Sequence, residues 1–197
     1  MGVTTTRGQA TDETAERSFA SFYAEHYQRV YAYCRRRIGP QAAEDAAAEV
    51  FAAAWRKWSA VPEGRDAVPW LYAAAYREVL HHWRSIGRHQ RLVDRVTGTG
   101  RLPPPDPDHT VVRNVEVETA RRALERLRPA DREVLRLAVW EELSIAEIAV
   151  VLALTSDAAT MRFVRAKRRF GRAYRSVEAA DDRAARHARG VEIGAEG

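Results

Sequence analysis

Cysteine occurs once in these 197 residues, at Cys34, which excludes an internal disulfide and a cysteine-built zinc site. No stretch approaches the roughly 18 to 20 consecutive apolar residues that cross a bilayer. The first 17 residues carry threonine and charge where a secretory signal needs an apolar run. Also missing are the phosphate-cradling G-x-x-x-x-G-K-[ST], the zinc-binding H-E-x-x-H and the nucleophile elbow G-x-S-x-G. Glu44, Asp45 and Glu49 share one predicted helix without a partner set of ligands, and read as an exposed acidic face. His81 and His82 are adjacent, so they point about 100° apart on a helix and share no metal. No window alternates apolar and polar residues as a half-buried strand does. These absences predict an all-α, cytoplasmic, non-catalytic protein without metal, cofactor or membrane insertion.

What is present is charge, unevenly placed. Thirty-two basic and 27 acidic side chains give a net +5, a weak sign of a polyanionic partner. Cut into residues 1–17, 18–95, 96–119, 120–175 and 176–197, the chain carries net charges of −1, +4, −2, +6 and −2. Two basic blocks thus stand apart, joined by an acidic connector and flanked by acidic ends. That is a two-domain pattern inclined towards phosphate.

Both blocks have helical periodicity. In the first, Phe19, Phe22, Tyr23, His26, Val30, Tyr33 and Cys34 recur at three- and four-residue steps. Gly39-Pro40 ends that helix and starts a second, where Glu44 and Asp45 fall near a dipole end that favours carboxylates. Val50, Phe51, Ala54, Trp55 and Trp58 continue it. Residues 59–69 read as a loop, and Pro69 opens a third helix carrying Trp70, Ala73, Ala74, Arg77, Leu80 and His81. Pro103-Pro104-Pro105 forbids a helix in the connector. The predicted division is a disordered N-terminus at 1–17, a helical domain at 18–95 and a flexible linker at 96–113. A second helical domain follows at 114–175, and a disordered tail at 176–197.

The second block has a tighter grammar. A helix over 114–127 gives way at Pro129 to another bearing Val134, Leu135, Ala138 and Val139. Ser144-Ile145-Ala146-Glu147 is a capping box, in which hydroxyl and carboxylate satisfy backbone donors reciprocally. A short helix, a tight turn at Ala153-Leu154 and a cap at Thr155, Ser156 or Asp157 complete a helix-turn-helix order. On the last helix, Ser156, Asp157, Thr160, Met161, Val164 and Arg165 would face a major groove. Arg165 suits a guanine edge; Lys167 and the arginines after it suit phosphates. In the first block Trp70, Tyr72, Tyr76, Arg77, His81, His82, Arg84 and Arg88 mix aromatic and basic groups. That mixture suits opened, single-stranded DNA, although for any one aromatic there, Trp70 first, a place in the core is the favoured reading.

Ordered along the chain, these stretches resemble a known family. Ala43-Glu44-Asp45, Glu49-Val50-Phe51 and Ala54-Trp55-Arg56 resemble the polymerase-binding helix of bacterial sigma factors. Val61-Pro62-Glu63-Gly64, Pro69-Trp70-Leu71-Tyr72 and His82-Trp83-Arg84-Ser85 are similar to their promoter-melting region. Ala123-Leu124-Glu125-Arg126-Leu127, Arg132-Glu133-Val134-Leu135 and Leu143-Ser144-Ile145-Ala146-Glu147-Ile148-Ala149 are similar to their region four. Region two, linker and region four without an intermediate domain is the layout of the extracytoplasmic-function (ECF) subgroup.

The resemblance implies a sigma factor that binds core RNA polymerase through its β′ clamp helices and β flap and directs promoter-specific initiation. Asp45, Glu49, Val50, Phe51 and Trp55 would meet the clamp, as exposed apolar groups ringed by carboxylates. The 59–69 loop and the helix from Trp70 would take a base flipped from the −10 element, and the helix from Ser156 would read the −35 duplex. An anti-sigma factor is a further expected partner. The chain departs from the family where Tyr76-Arg77 replaces a frequent Arg-Asn, where Thr160 replaces a common basic residue, and where Ala153 replaces a common glycine. Two alternatives remain at this level: a stand-alone helix-turn-helix regulator, and a degenerate relative that titrates polymerase without opening promoters.

Overall fold

The computed structural model describes residues 12–97 and 115–194, and among these every regular element is helical. They fall into two compact units: Met1–His109 with Ala146–Thr155, and Thr110–Ile145 with Ser156–Gly197. Residues 1–11 and nearly all of the predicted linker lie outside the described residues; residues 96 and 97 close a helix instead.

In the first unit α1 spans Asp12–Ile38, α2 Pro40–Arg56 and α3 Ala67–Thr97, each packing on the other two. The helix α1 starts inside the segment expected to be disordered, with Arg17 paired to Glu13 one turn earlier. Its buried stripe is Phe22, His26, Val30, Tyr33, Cys34 and Arg37, the 3.6-residue repeat visible in the sequence. Arg35, Arg36 and Arg37 fill the last turn, where cations oppose the negative dipole end. Gly39 then adopts φ 81°, a left-handed value that suits glycine, and its N–H donates to the Arg35 carbonyl at 3.1 Å. Pro40 follows in the first turn of α2, where its missing N–H costs nothing. That first turn holds no acid; Glu44 and Asp45 sit one turn further in than the sequence predicts.

The buried face of α2 is Ala43, Ala46, Ala47, Val50, Phe51 and Ala54. Small side chains there let the neighbouring helices come close. From α3, Leu71, Tyr72, Ala75 and Val79 close the core, with Val61 fully buried beneath the loop. Arg37 is buried too: its guanidinium lies 3.5 Å from the centroid of the Tyr33 ring and donates to the Tyr33 carbonyl at 3.0 Å. Two short 3-10 turns, Trp58–Ala60 and Gly64–Asp66, shape the loop into α3.

The second unit contains α4 (Val115–Glu125), α5 (Pro129–Val139) and α7 (Ser156–Gly194), with α7 packed on the other two. Pro129 begins α5 at its first turn. Arg132 closes the end of α4: Nε donates to the Leu124 carbonyl at 3.1 Å, and Nη2 to the carbonyls of Glu125 at 2.8 Å and Leu127 at 3.3 Å. A cation on orphan carbonyls is favourable both as hydrogen bonds and against the dipole. Burial pulls the Arg132 pKa down, while Glu125 and Glu133 pull the other way.

The expected disordered tail after Ser176 is instead a continuation of α7 to Gly194. Two contacts explain the difference. Val177 is fully buried, and Arg122 of α4 holds both carboxylate oxygens of Asp181 at 2.7 and 2.9 Å. Arg126 adds a bond to the Ser176 hydroxyl at 3.1 Å. A segment poor in large apolar residues is ordered here by one valine and a charge-assisted pair in which Arg122 Nη1 donates to both Asp181 oxygens.

Candidate nucleic-acid interface

Between α5 and α7 lies a seven-residue helix, α6 (Ile145–Val151), which begins directly after Ser144. It ends in a tight turn. The N–H of Leu154 donates to the Ala149 carbonyl at 2.9 Å and that of Ala153 to Val150 at 3.2 Å. This is the Schellman pattern, which needs a left-handed residue between the two donors. Ala153 supplies it at φ 51°, with a Cβ where the motif favours glycine. Two residues later α7 begins at Ser156.

Over its first turns α7 buries Ala159 and Ala166 and exposes Ser156, Asp157, Thr160, Met161, Val164, Arg165 and Lys167. All seven positions expected on the duplex side are therefore open to solvent. Met161 and Val164 keep 51% and 47% of their surface exposed, a cost in water that contact with a thymine methyl would offset. The Thr160 hydroxyl donates to the Ser156 carbonyl at 2.8 Å, so it faces outward as an acceptor and a methyl. Lys167 lies 5.4 Å from the centroid of the Phe163 ring. Of the basic residues behind them, Arg168, Arg172 and Arg175 are exposed. Arg169 is not available in the same way, because it is paired with the buried Asp131 of α5.

On α3 the aromatic and basic positions separate. Tyr72 is 2% exposed, its ring 5.0 Å from that of Tyr33. It is a core residue, and the expectation that it meets DNA is corrected: its turn of the helix faces α1. Trp70, Tyr76 and His82 are half-buried, whereas Arg77, His81, Arg84 and Arg88 are exposed. Those four stand at i, i+4, i+7 and i+11, a single basic face suited to a phosphate backbone. Burial, then neighbouring His81, lowers the pKa of His82 and favours its neutral form.

A cavity of about 330 Å³ opens between α1 and the loop into α3, lined among others by Phe22, His26, Arg29, Pro62, Arg65 and Val68. Ring and aliphatic faces suit a base, and the two guanidiniums outnumber the one carboxylate of the lining, Glu25, where a phosphate would lie. The α1 members of this set went unnoticed in the sequence because they belong to a helix whose visible pattern is that of a core.

The α2 positions assigned to the clamp also divide. Asp45 and Glu49 are exposed and Trp55 is 41% exposed, but Val50 and Phe51 are 1% and 2% exposed. Val50 and Phe51 belong to the core, against the expectation of exposed apolar groups ringed by acids. Exposed aromatic surface exists nearby, on α1: Tyr23 is 40% exposed and its ring stacks on Tyr27 at 5.0 Å, which stacks on Tyr31 at 6.1 Å. The four-residue step Phe19, Tyr23, Tyr27, Tyr31 was the available signal.

Among the described residues no helix is long and apolar enough to cross a membrane, and no cluster of His, Cys, Asp and Glu could hold a metal ion. Residues 22–89 match the family model for Sigma-70 region 2, and residues 118–170 that for Sigma-70, region 4. The chain is 27% identical to RNA polymerase sigma factor YlaC of Bacillus subtilis over 137 residues, 68% of this chain and 79% of that one. It is 30% identical to ECF RNA polymerase sigma factor BldN of Streptomyces coelicolor over 168 residues, 84% of this chain and 62% of the relative. In fold it is similar to the sigma factor RpoE of Bartonella quintana, solved with the anti-sigma factor NepR. The TM-score is 0.61 at 19% identity, covering 81% of this chain and 98% of that one. CnrH, solved with the cytosolic domain of CnrY, gives 0.52 at 21% identity, covering 79% and 86%.

Proposed function

The chain belongs to the ECF subfamily of sigma-70 factors, and from that premise we propose how its surfaces share the work of starting transcription. As a sigma factor it binds core RNA polymerase and promoter DNA and directs initiation. The RNA-synthesising chemistry is the core enzyme's; this chain contributes recognition and strand separation, in the cytoplasm where polymerase and chromosome meet.

The first turns of α7 read the −35 duplex. Arg165 addresses a guanine edge, Met161 and Val164 make apolar contacts, and Lys167, Arg168 and Arg172 meet phosphates. The basic face of α3 (Arg77, His81, Arg84 and Arg88) tracks the melted −10 strand, with Trp70, Tyr76 and His82 beside it. A base flipped from that strand enters the cavity under the 59–69 loop. Unstacking a base costs a few kcal/mol, and a waiting site lowers the free energy of the open state by a comparable amount. Asp45, Glu49 and Trp55 meet the β′ clamp, and the second unit meets the β flap. An anti-sigma factor is a further partner, as NepR is for RpoE.

One observation carries the reading: regions 2 and 4 follow one another in a single chain, and all seven DNA-side positions of α7 are exposed. Transcription by purified core enzyme on a promoter library tests it. Added protein should yield transcripts from a discrete set of start sites with shared −10 and −35 elements. A set of transcripts unchanged by its addition would reject it.

A further inference from the structure

Arg165, Arg168, Arg169 and Arg172 of α7 stand at i, i+3, i+4 and i+7, which places them on one flank of the helix. Arg165, Arg168 and Arg172 are exposed. Arg169 lies inside that row, and its Nη1 donates to Oδ2 of Asp131 in the first turn of α5. The pair is lopsided. The Asp131 side chain keeps 8% of its surface and that of Arg169 38%. The acid is thus set into the packing of α5 against α7, while the guanidinium sits at its edge.

Stability alone does not account for this arrangement. A buried ion pair gains little over well-packed apolar groups, because both ions lose water. The dipole at the start of α5 favours a carboxylate at Asp131 without any partner from α7. Ala159, Ala166 and Val177 already seat α7 by apolar burial. What the pair does change is the charge of the reading helix. It occupies one of four cations in a row whose other members are open to phosphate.

We propose that Asp131 is a positioning residue that withholds Arg169 from the DNA backbone and so limits the sequence-independent affinity of the second unit. The inference rests on α7 being the helix that reads the −35 duplex. Each arginine that neutralises a phosphate releases a counterion and strengthens binding to any duplex, right or wrong. Base contacts such as that of Arg165 tell promoter from other DNA; surplus phosphate contacts hold the protein on both. Asp131 takes one such contact out of the row.

The test is a salt series of full-chain binding to a −35 duplex and to a scrambled duplex. Asp131→Asn keeps the shape and removes the charge, and Asp131→Ala removes the acceptor altogether. Both should bind the two duplexes more tightly by the same factor, with a log–log salt slope steeper by about 0.9. The gain over the parent should then be about 3.5-fold smaller at roughly 200 mM salt than at 50 mM. Adding Arg169→Gln to either variant should restore the parent's slope. Glu178→Gln, which removes an exposed acid of α7, should leave the slope where it was. An unchanged slope in Asp131→Ala overturns the proposal. So does a gain confined to the −35 duplex, which would make Arg169 a base contact. Arg169→Gln alone gives a second check that does not depend on how well the Asp131 variants fold. It should bind both duplexes as the parent does, and a shallower slope would show that Arg169 already meets phosphate. Arg165→Ala separates the two levels. If it weakens −35 binding while the Asp131 variants leave the slope alone, the proposal fails and the reading of α7 stands. If Arg165→Ala also binds as the parent does, both fail.

Discussion

The two units hold together by different means. The α1–α3 unit is closed by rings and alanines: Phe22, Tyr33, Phe51 and Tyr72 interlock over an α2 face that is mostly methyl groups. The α4, α5 and α7 unit is laced by charge, with Arg132 on the end of α4, Asp131 on Arg169 and Asp181 on Arg122. The difference bears on function, because both units need cations for DNA. Where packing is apolar, the basic face of α3 is left entirely to solvent. Where packing is ionic, some of the arginines are structural. The +6 of residues 120–175 therefore overstates the charge the second unit can offer a phosphate backbone.

Cutting into the ring-and-alanine core should show the largest effect. Leu71→Ala removes a fully buried side chain and should cost about 2–5 kcal/mol of stability. Denaturation should show that loss equally at low and high salt; a loss that shrinks with salt would mean the core depends on charge after all. The matching cut in the second unit is Arg132→Met, which keeps the stem but strands the carbonyls at the end of α4. Those carbonyls belong to half-buried Leu124 and Glu125 and to buried Leu127, so about 1–3 kcal/mol is expected. A neutral result would show that the α4 end is satisfied by solvent.

The DNA surfaces differ as the cores do, one placed to read and the other to track. Arg165→Ala should cost about 1–3 kcal/mol and relax preference at one base pair of the −35 element. Arg84→Ala should weaken −10 single-strand binding about evenly across sequences and lower its salt dependence by close to one ion. A uniform loss for Arg165 would make it a phosphate contact.

Much of this was legible in the sequence, and the failures have a common physical cause. Pro129, the Ser144–Glu147 box and the turn at Ala153 are local signals, and the helices they announce begin and end there. Helix period also marks which face of α2 is apolar. It does not say how wide a sector the neighbours cover, so Val50, Phe51 and Tyr72 read as partner-facing although the packing of α1, α2 and α3 buries them. The tail shows the same limit. Its alanines and arginines favour helix, but what ties it down is buried Val177 and the bond to Arg122, a residue 59 positions away from Asp181. Long-range pairs leave no periodic trace.

That staple can be weighed directly. Both groups of the Arg122–Asp181 pair are about one-third exposed, so Asp181→Ala should cost less than about 1 kcal/mol. The effect should fall as salt rises, and fraying should increase in amide exchange beyond Ser176. No change in exchange there would leave Val177 as the whole anchor.

The smallest effect is also the one whose sign is most informative. Gly39 and Ala153 both occupy the left-handed region, at φ 81° and 51°, but only the first is a glycine. At Ala153 two terms oppose. The Cβ costs about 1–2 kcal/mol in that conformation, while glycine would cost about 0.5–1 kcal/mol through the freer unfolded chain. Ala153→Gly should therefore stabilise by about 0.5 kcal/mol, and Gly39→Ala should destabilise by more, because φ 81° with ψ 167° is a combination that essentially only glycine adopts. Thermal melts of the two variants give the signs. If Ala153→Gly destabilises, the alanine is stiffening the turn ahead of α7 by limiting its unfolded alternatives. The departure from the family's glycine would then be a gain in rigidity for the helix that reads DNA, and the variant should bind the −35 duplex more weakly at unchanged specificity.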